Sequence, residues 1–405
     1  MLKTKLIEVF SYIIIFNFIV DFIYYLDDSK SIISLLRIGI NILFVGIVFM
    51  NHLHFKNGVF QPIYFLILYS FFLLLFSSDI TASLIEFSKF STSLMYLPVS
   101  FLLVNTKEKF KYFINSIYPI LGLYIVFVII SNLYNTGSVR YSNEDSEVFR
   151  VGLGDAKLYT PAFLVGMLPL LIKNDIIRKK KLYAVLGLIN LIILILTIRR
   201  TAIFIIIFIP VFNYILAGNY KKIFQYILYS FLFLLITFPF IEKQFNDRLA
   251  ERDYLTEEDY SYEKEGRYLE LGFVLHTFYV ADNTLNYLFG KEAFNTIGNY
   301  GFYDSERPIH SDYTYIFFCT GIIGLILYII IFKNLFYKAK KMKPLLYKYG
   351  LKNMYQLYVT LFLLIIMIGV SGNIWAITYK TVTFSILGAF LGLFFSTNDL
   401  AKKTI

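Results

Sequence analysis

Charge is what this chain has least of: Asp, Glu, Lys and Arg make up 16% of its 405 residues, against 58% hydrophobic. Soluble domains are about a quarter charged, so the shortage excludes a water-soluble globule, which has no means of covering that much apolar surface. Cysteine is almost absent, and the single Cys319 excludes an intramolecular disulfide. Histidine occurs four times, with no ligand-like grouping beyond His52 and His54. No repeat of fixed period is present, so a transporter built from duplicated halves gets no support.

Apolar runs of about 20 residues, long enough to cross a bilayer as helices, recur along the whole chain. Only helices and closed barrels satisfy the backbone in lipid, and these runs lack the alternation of barrel strands. The expected fold is an all-α integral membrane protein, one polytopic domain over 1–405, with about twelve transmembrane helices. The spans are expected near 6–26, 32–50, 60–77, 83–104, 112–133, 158–173, 182–198, 201–217, 223–241, 312–332, 354–371 and 376–396. The first run is too long for a removable signal peptide and has no small-residue cleavage site.

Short loops rich in Lys and Arg stay in the cytoplasm. Lys173-Asn-Asp-Ile-Ile-Arg-Lys-Lys-Lys181 is one, and the segment from Lys333 to Lys348, with no acid, is a second. Both place the two termini inside. The net charge of +10 therefore reports topology, and nucleic acid is not an expected partner. Two external loops remain, 134–157 and a large one at 242–311, before the tenth span. The second is acidic, with Glu257-Glu258-Asp259 and Glu263-Lys264-Glu265. Long external loops more often carry function than packing.

Charged residues within spans are costly, and here they gather toward the outer side. Asp21, Arg37, Glu86, Lys89 and Lys380 lie in outer halves, and Arg199-Arg200 form an outer turn. This one-sidedness suggests a polar cavity open to the exterior. Plain ion pairs, Asp21 with Arg37 and Glu86 with Lys89, are the simpler reading for the first four. The two arginines need an anionic partner: a phosphate, which fits the guanidinium fork, or a carboxylate from the acidic loop. In the large loop, 266–278 reads as a helix with Leu271, Val274, Leu275 and Phe278 on one stripe. Arg267 falls on or beside that stripe, which makes it a functional candidate. His276 reads as an ordinary surface or core histidine.

Four segments in order resemble the O-antigen polymerase and O-antigen ligase superfamily of bacterial membranes. They are Ile198-Arg-Arg-Thr-Ala-Ile203, Gly266-Arg267 opening the loop helix, Leu288-Phe-Gly290, and His310-Ser-Asp-Tyr followed by Thr320-Gly-Ile-Ile-Gly324. Phe149-Arg150-Val-Gly, leading toward Pro161, is similar to the loop that precedes them in the family. The Arg-Arg pair leaves open which one is the family's arginine, and serine stands where the family has asparagine after the histidine.

The resemblance implies a fold like that of the type C membrane glycosyltransferases, in the inner membrane of a bacterium with the active site facing the periplasm or exterior. It implies transfer of a glycan from an undecaprenyl-diphosphate-linked oligosaccharide to an acceptor. The leading expectation is polymerisation of repeat units of O-antigen, capsule or exopolysaccharide. A ligase moving finished glycan to another acceptor is the alternative, and a lipid-linked oligosaccharide flippase a more distant one. Partners would be the lipid-linked donor and acceptor, membrane lipid and, for a polymerase, a chain-length-regulating co-polymerase.

A diphosphate leaving group needs its developing charge stabilised. No Asp-x-Asp occurs, and Asp27-Asp28 is the one candidate metal pair, more simply a solvated loop. No metal or other cofactor is therefore expected. Arg150, Arg199, Arg200 and Arg267 are the candidates for binding the diphosphate, with Arg267 also in the catalytic set. His310 is the candidate base for the acceptor hydroxyl, unless it only caps the helix or binds a sugar. Asp312 either orients the ring or is itself the base.

Replacing a preorganised charge-stabilising donor costs about 10²–10³ in rate. Arg267→Ala and at least one of Arg199→Ala and Arg200→Ala should abolish polymer while the protein still accumulates in the membrane. The Arg→Lys variants should restore little, since a point charge lacks the bidentate fork. Unchanged polymer in Arg267→Ala would remove that residue from the mechanism.

Overall fold

The computed structural model describes residues 2–23, 30–51, 58–136, 155–197, 199–232, 266–281, 283–296, 309–371 and 377–403, and the single positions 150, 152, 153, 235, 238, 239 and 242. The regular elements among them are helical. In chain order they are α1 (Leu2–Ile23), α2 (Lys30–Asn51), α3 (Gln61–Leu73), α4 (Ile80–Leu103), α5 (Lys107–Ile117), α6 (Ile120–Leu133), α7 (Tyr159–Lys173) and α8 (Lys180–Leu196). They continue as α9 (Arg200–Leu216), α10 (220–232), α11 (Gly266–Val280), α12 (Leu285–Phe289), α13 (Asp312–Lys348), α14 (Lys352–Ser371) and α15 (Ile377–Lys403).

Six stretches are long and apolar enough to cross a membrane: Lys5–Ile23, Ile32–Met50, Lys107–Leu133, Asp312–Lys348, Lys352–Val370 and Ile377–Thr397. The other expected runs are helical too but fall short of that condition, for visible reasons. Gln61–Phe76, Tyr159–Lys173 and Arg200–Leu216 are apolar but shorter. α4 has the length, 24 residues, but carries Glu86, Lys89 and several Ser and Thr. The run at 223–241 is described as continuous helix only to 232. One expected loop is helix instead. The basic segment 333–348 extends α13, because it contains no glycine until Gly350 and is rich in Lys, Leu and other helix formers.

The chain divides into two compact units, of which the first is Met1–Ser34, Thr106–Tyr260 and Gly350–Leu364. Its centre is α7, buried without interruption from Tyr159 to Leu168. Lipid supplies no hydrophobic drive between helices, so they meet through small residues and hydrogen bonds. A Cβ on Gly166 would lie 3.2 Å from the Ile205 carbonyl oxygen, so α9 approaches α7 to backbone distance. Asn190 of α8 donates to the Leu121 carbonyl at 3.0 Å, and the Tyr118 hydroxyl donates to the Leu164 carbonyl at 3.0 Å.

The second unit is Leu35–Asn105, Ser261–Tyr349 and Ile365–Ile405. Here α15 lies against α4, buried without interruption from Ile377 to Phe394. Gly388 and Gly392 make that approach: a Cβ at either would collide with the Leu97 or Val104 carbonyl oxygen of the α4 end. α13 is broken at Gly321 (φ 64°, ψ −166°). The break frees carbonyls, and two of them find donors from outside the helix. The Lys291 N–H donates to the Phe318 oxygen at 2.9 Å, and the Tyr69 hydroxyl donates to the Thr320 oxygen at 2.9 Å. Gly290 (φ 87°) allows the contact, since a Cβ there would stand 2.7 Å from the Phe318 and Cys319 oxygens.

Overpacked interfaces lose about 1–3 kcal/mol, so Gly388→Val and Gly392→Val should each lower the unfolding midpoint in detergent. Gly46, with nothing near its Cβ position, is the control as Gly46→Ala. Indistinguishable midpoints for all three would contradict the α4–α15 packing.

Candidate active site

α11 buries Glu270, Val274 and Phe278, one residue per turn. Its apolar face is therefore rotated from the expected stripe, and Leu271 and Leu275 are 47% and 41% exposed. Phe278 anchors the helix on α13 by ring contacts with Phe317 and Phe318, centroids 5.3 and 6.0 Å apart. That packing delivers Glu270 to the start of α13.

There the Glu270 carboxylate, wholly buried, accepts from the backbone N–H of His310, 3.1 Å to either oxygen, and from that of Ser311 at 3.1 Å. Its Oε1 lies 3.0 Å from His310 Nδ1, while the His310 side chain stays 35% exposed. The imidazole is thus gripped at one nitrogen and accessible elsewhere. Ser311 caps α13, its hydroxyl accepting from the Thr314 N–H. Consecutive residues at a helix start point in different directions, and Asp312 turns to α15, where it pairs with the buried Lys380. The expected neighbour of the ring, Asp312, is instead the partner of a lysine, and the carboxylate on the ring is Glu270. Gly369 leaves room for this pair: a Cβ there would come 3.4 Å from Asp312 Oδ2. The Tyr313 hydroxyl donates to the Ile366 carbonyl at 3.0 Å.

Glu86 and Lys89 form the expected pair one turn apart, and Arg37 acts on the same carboxylate. Asp21, weighed as a partner of Arg37, has Lys157 at 3.5 Å. Arg267 stands in the first turn of α11, two turns before Val274 and so in line with the buried face, but its side chain lies outside the described residues. His276 is exposed. Asp27, Asp28, His52 and His54 also lie outside the described residues, and among the described ones no three metal-ligating side chains converge.

The remaining arginines belong to the first unit. Arg199 is the N-cap of α9 and half-buried, whereas Arg200, the first residue of the helix, is exposed. An apolar cavity of about 320 Å³, lined by residues that include Ile195, Ile203, Ile206 and Tyr226, opens among α8, α9 and α10 beside this turn. Arg150 is fixed at the end of α6 through its backbone, its N–H donating to Asn132 Oδ1 at 2.9 Å and its carbonyl accepting from Asn132 Nδ2 at 2.7 Å.

Three of the four recognisable segments, at 266–267, 288–290 and 310–324, therefore pack together in one unit. The arginine turn at 199–200 is in the other. Sequence reasoning missed Glu270, Lys291 and Tyr69. A signal existed for Glu270 alone: it is the one acid of α11 and stands among Leu269, Leu271 and Phe273. No family model and no curated protein matches the chain.

Breaking one half of a buried ion pair costs about 3–5 kcal/mol because the other charge is left uncompensated. Asp312→Leu and Lys380→Met should each lower thermal stability by that order, and the double variant should recover most of it. Additive losses in a double-mutant cycle would show that the two charges are not coupled.

Proposed function

We propose that this protein polymerises lipid-linked oligosaccharide repeat units at the outer face of a bacterial cell membrane, as a metal-independent glycosyltransferase. The observation that carries the reading is the half-exposed His310 imidazole held on a buried carboxylate, at a helix start that the 266–290 segments brace. An imidazole so placed suits removal of a proton from a sugar hydroxyl. The acceptor oxygen then bonds to the anomeric carbon of the donor sugar, and the bond to the diphosphate breaks with the electron pair leaving on the diphosphate. Arg267, in the same unit as His310, is the group we assign to that leaving charge; Arg150, Arg199 and Arg200 remain the sequence's other candidates for binding a diphosphate. Within the first unit, the apolar cavity beside Arg199–Arg200 suits a prenyl chain. About twelve spans, counting the shorter helices, with both termini in the cytoplasm, complete this reading; it is supported by the basic 173–181 turn and the basic end of α13.

Analysis of lipid-linked glycans from a deletion strain tests the proposal. A polymerase leaves single repeat units on the carrier when it is lost. Long chains stranded on the carrier, with a bare surface acceptor, would make the protein a ligase of the same chemistry.

A further inference from the structure

We infer that Glu270 is the positioning residue of this site: it holds the His310 ring proton on Nδ1 and leaves Nε2 as the atom that takes the acceptor's proton. The inference deepens the polymerase reading and rests on it for the identity of the acceptor. The tautomer follows from the contacts alone.

Toward each of the donors described at the α13 start, Glu270 is an acceptor. Oε1 and Oε2 both accept from the His310 N–H, and Oε2 also from the Ser311 N–H. A carboxylate has no hydrogen to offer, so the hydrogen in the 3.0 Å contact to Nδ1 comes from the ring. The opposite tautomer would set two lone pairs face to face in a site where Glu270 is 0% exposed and repulsion is poorly screened. One carboxylate also holds both the backbone and the ring of residue 310, so a swing of the ring gives up its Nδ1 contact while the carboxylate stays held by the backbone. Glu270 is in turn fixed by Val274 and Phe278, buried below it on the same face. The nearest acid in sequence to the ring, Asp312, is engaged by Lys380. Glu86, with Lys89, is on α4.

In the transfer, the acceptor hydroxyl gives its proton to Nε2 as its oxygen bonds to the anomeric carbon, and the diphosphate departs with the electron pair of the broken bond. The imidazolium that results carries its charge against the Glu270 carboxylate and then loses the Nε2 proton to water. Glu270 touches no substrate. Its effect is exerted wholly through the ring.

The test reads the ring directly. Protein labelled with ¹⁵N in its histidine rings is reconstituted in lipid, and the His310 signals are assigned by their loss in His310→Gln. At a pH where the ring is neutral, we expect a protonated Nδ1 and a bare Nε2. In Glu270→Gln the amide NH₂ can donate to Nδ1, so the proton should move to Nε2, with polymer formation falling about 10²–10⁴-fold at unchanged protein level. A proton on Nε2 in the unaltered protein, or full polymer formation in Glu270→Gln, would overturn the inference. If Glu270→Gln does not accumulate, the tautomer of the unaltered protein decides by itself. The glycan analysis of the deletion strain is independent: a ligase outcome there would leave the tautomer result standing.

Discussion

A helix inside a bilayer cannot leave a backbone carbonyl unanswered, and much of the second unit follows from that constraint at one residue. Gly321 interrupts α13, so Phe318 and Thr320 must find donors elsewhere. They find the Lys291 N–H and the Tyr69 hydroxyl. That requirement holds the 285–291 segment, α12 included, and α3 against the break. The α13 start, met by Glu270 of α11, carries His310 at its edge. Removing the break would free the 285–291 segment from that contact.

Several buried or half-buried charges among the described residues are met in the same way. Lys380 meets Asp312, Lys89 meets Glu86, Lys157 meets Asp21, and Glu270 meets the donors of 310 and 311. Charge in such surroundings is costly unless paired, so its rarity in the composition and its pairing in the fold have the same cause. The consequence for the site is that its geometry is set by ion pairs between helices remote in sequence.

Much of the helical layout was legible because apolar runs and basic loops are direct consequences of a hydrocarbon slab. The register of a short helix was less so. Val274 and Phe278 of the expected stripe are buried, but Leu271 and Leu275 turned it too far round α11, since in a chain this rich in apolar residues an exposed leucine carries no penalty that composition reveals. With the face rotated, Glu270 moved from unremarked to central. Asp312 was legible as important but not as Lys380's partner, because 68 residues separate them and no local pattern encodes the pairing. The donors at the Gly321 break were invisible for the same reason: a backbone N–H at Lys291 has no residue signature at all.

The break in α13 also bears on how the protein is made. The part before it, Asp312 to Thr320, reaches about 14 Å at ~1.5 Å per residue, well short of the roughly 30 Å hydrocarbon. The part after it, Ile322 to Phe332, adds about 17 Å by the same measure before the lysines begin at Lys333, so neither part crosses alone. The two must be inserted together, and the earlier part depends on α3 and the 285–291 segment for partners at the break. His310 comes to rest only when that assembly closes. A newly inserted chain that has not yet packed α11 thus carries a histidine without its Glu270 anchor, and the His310 geometry is completed only as the helices close.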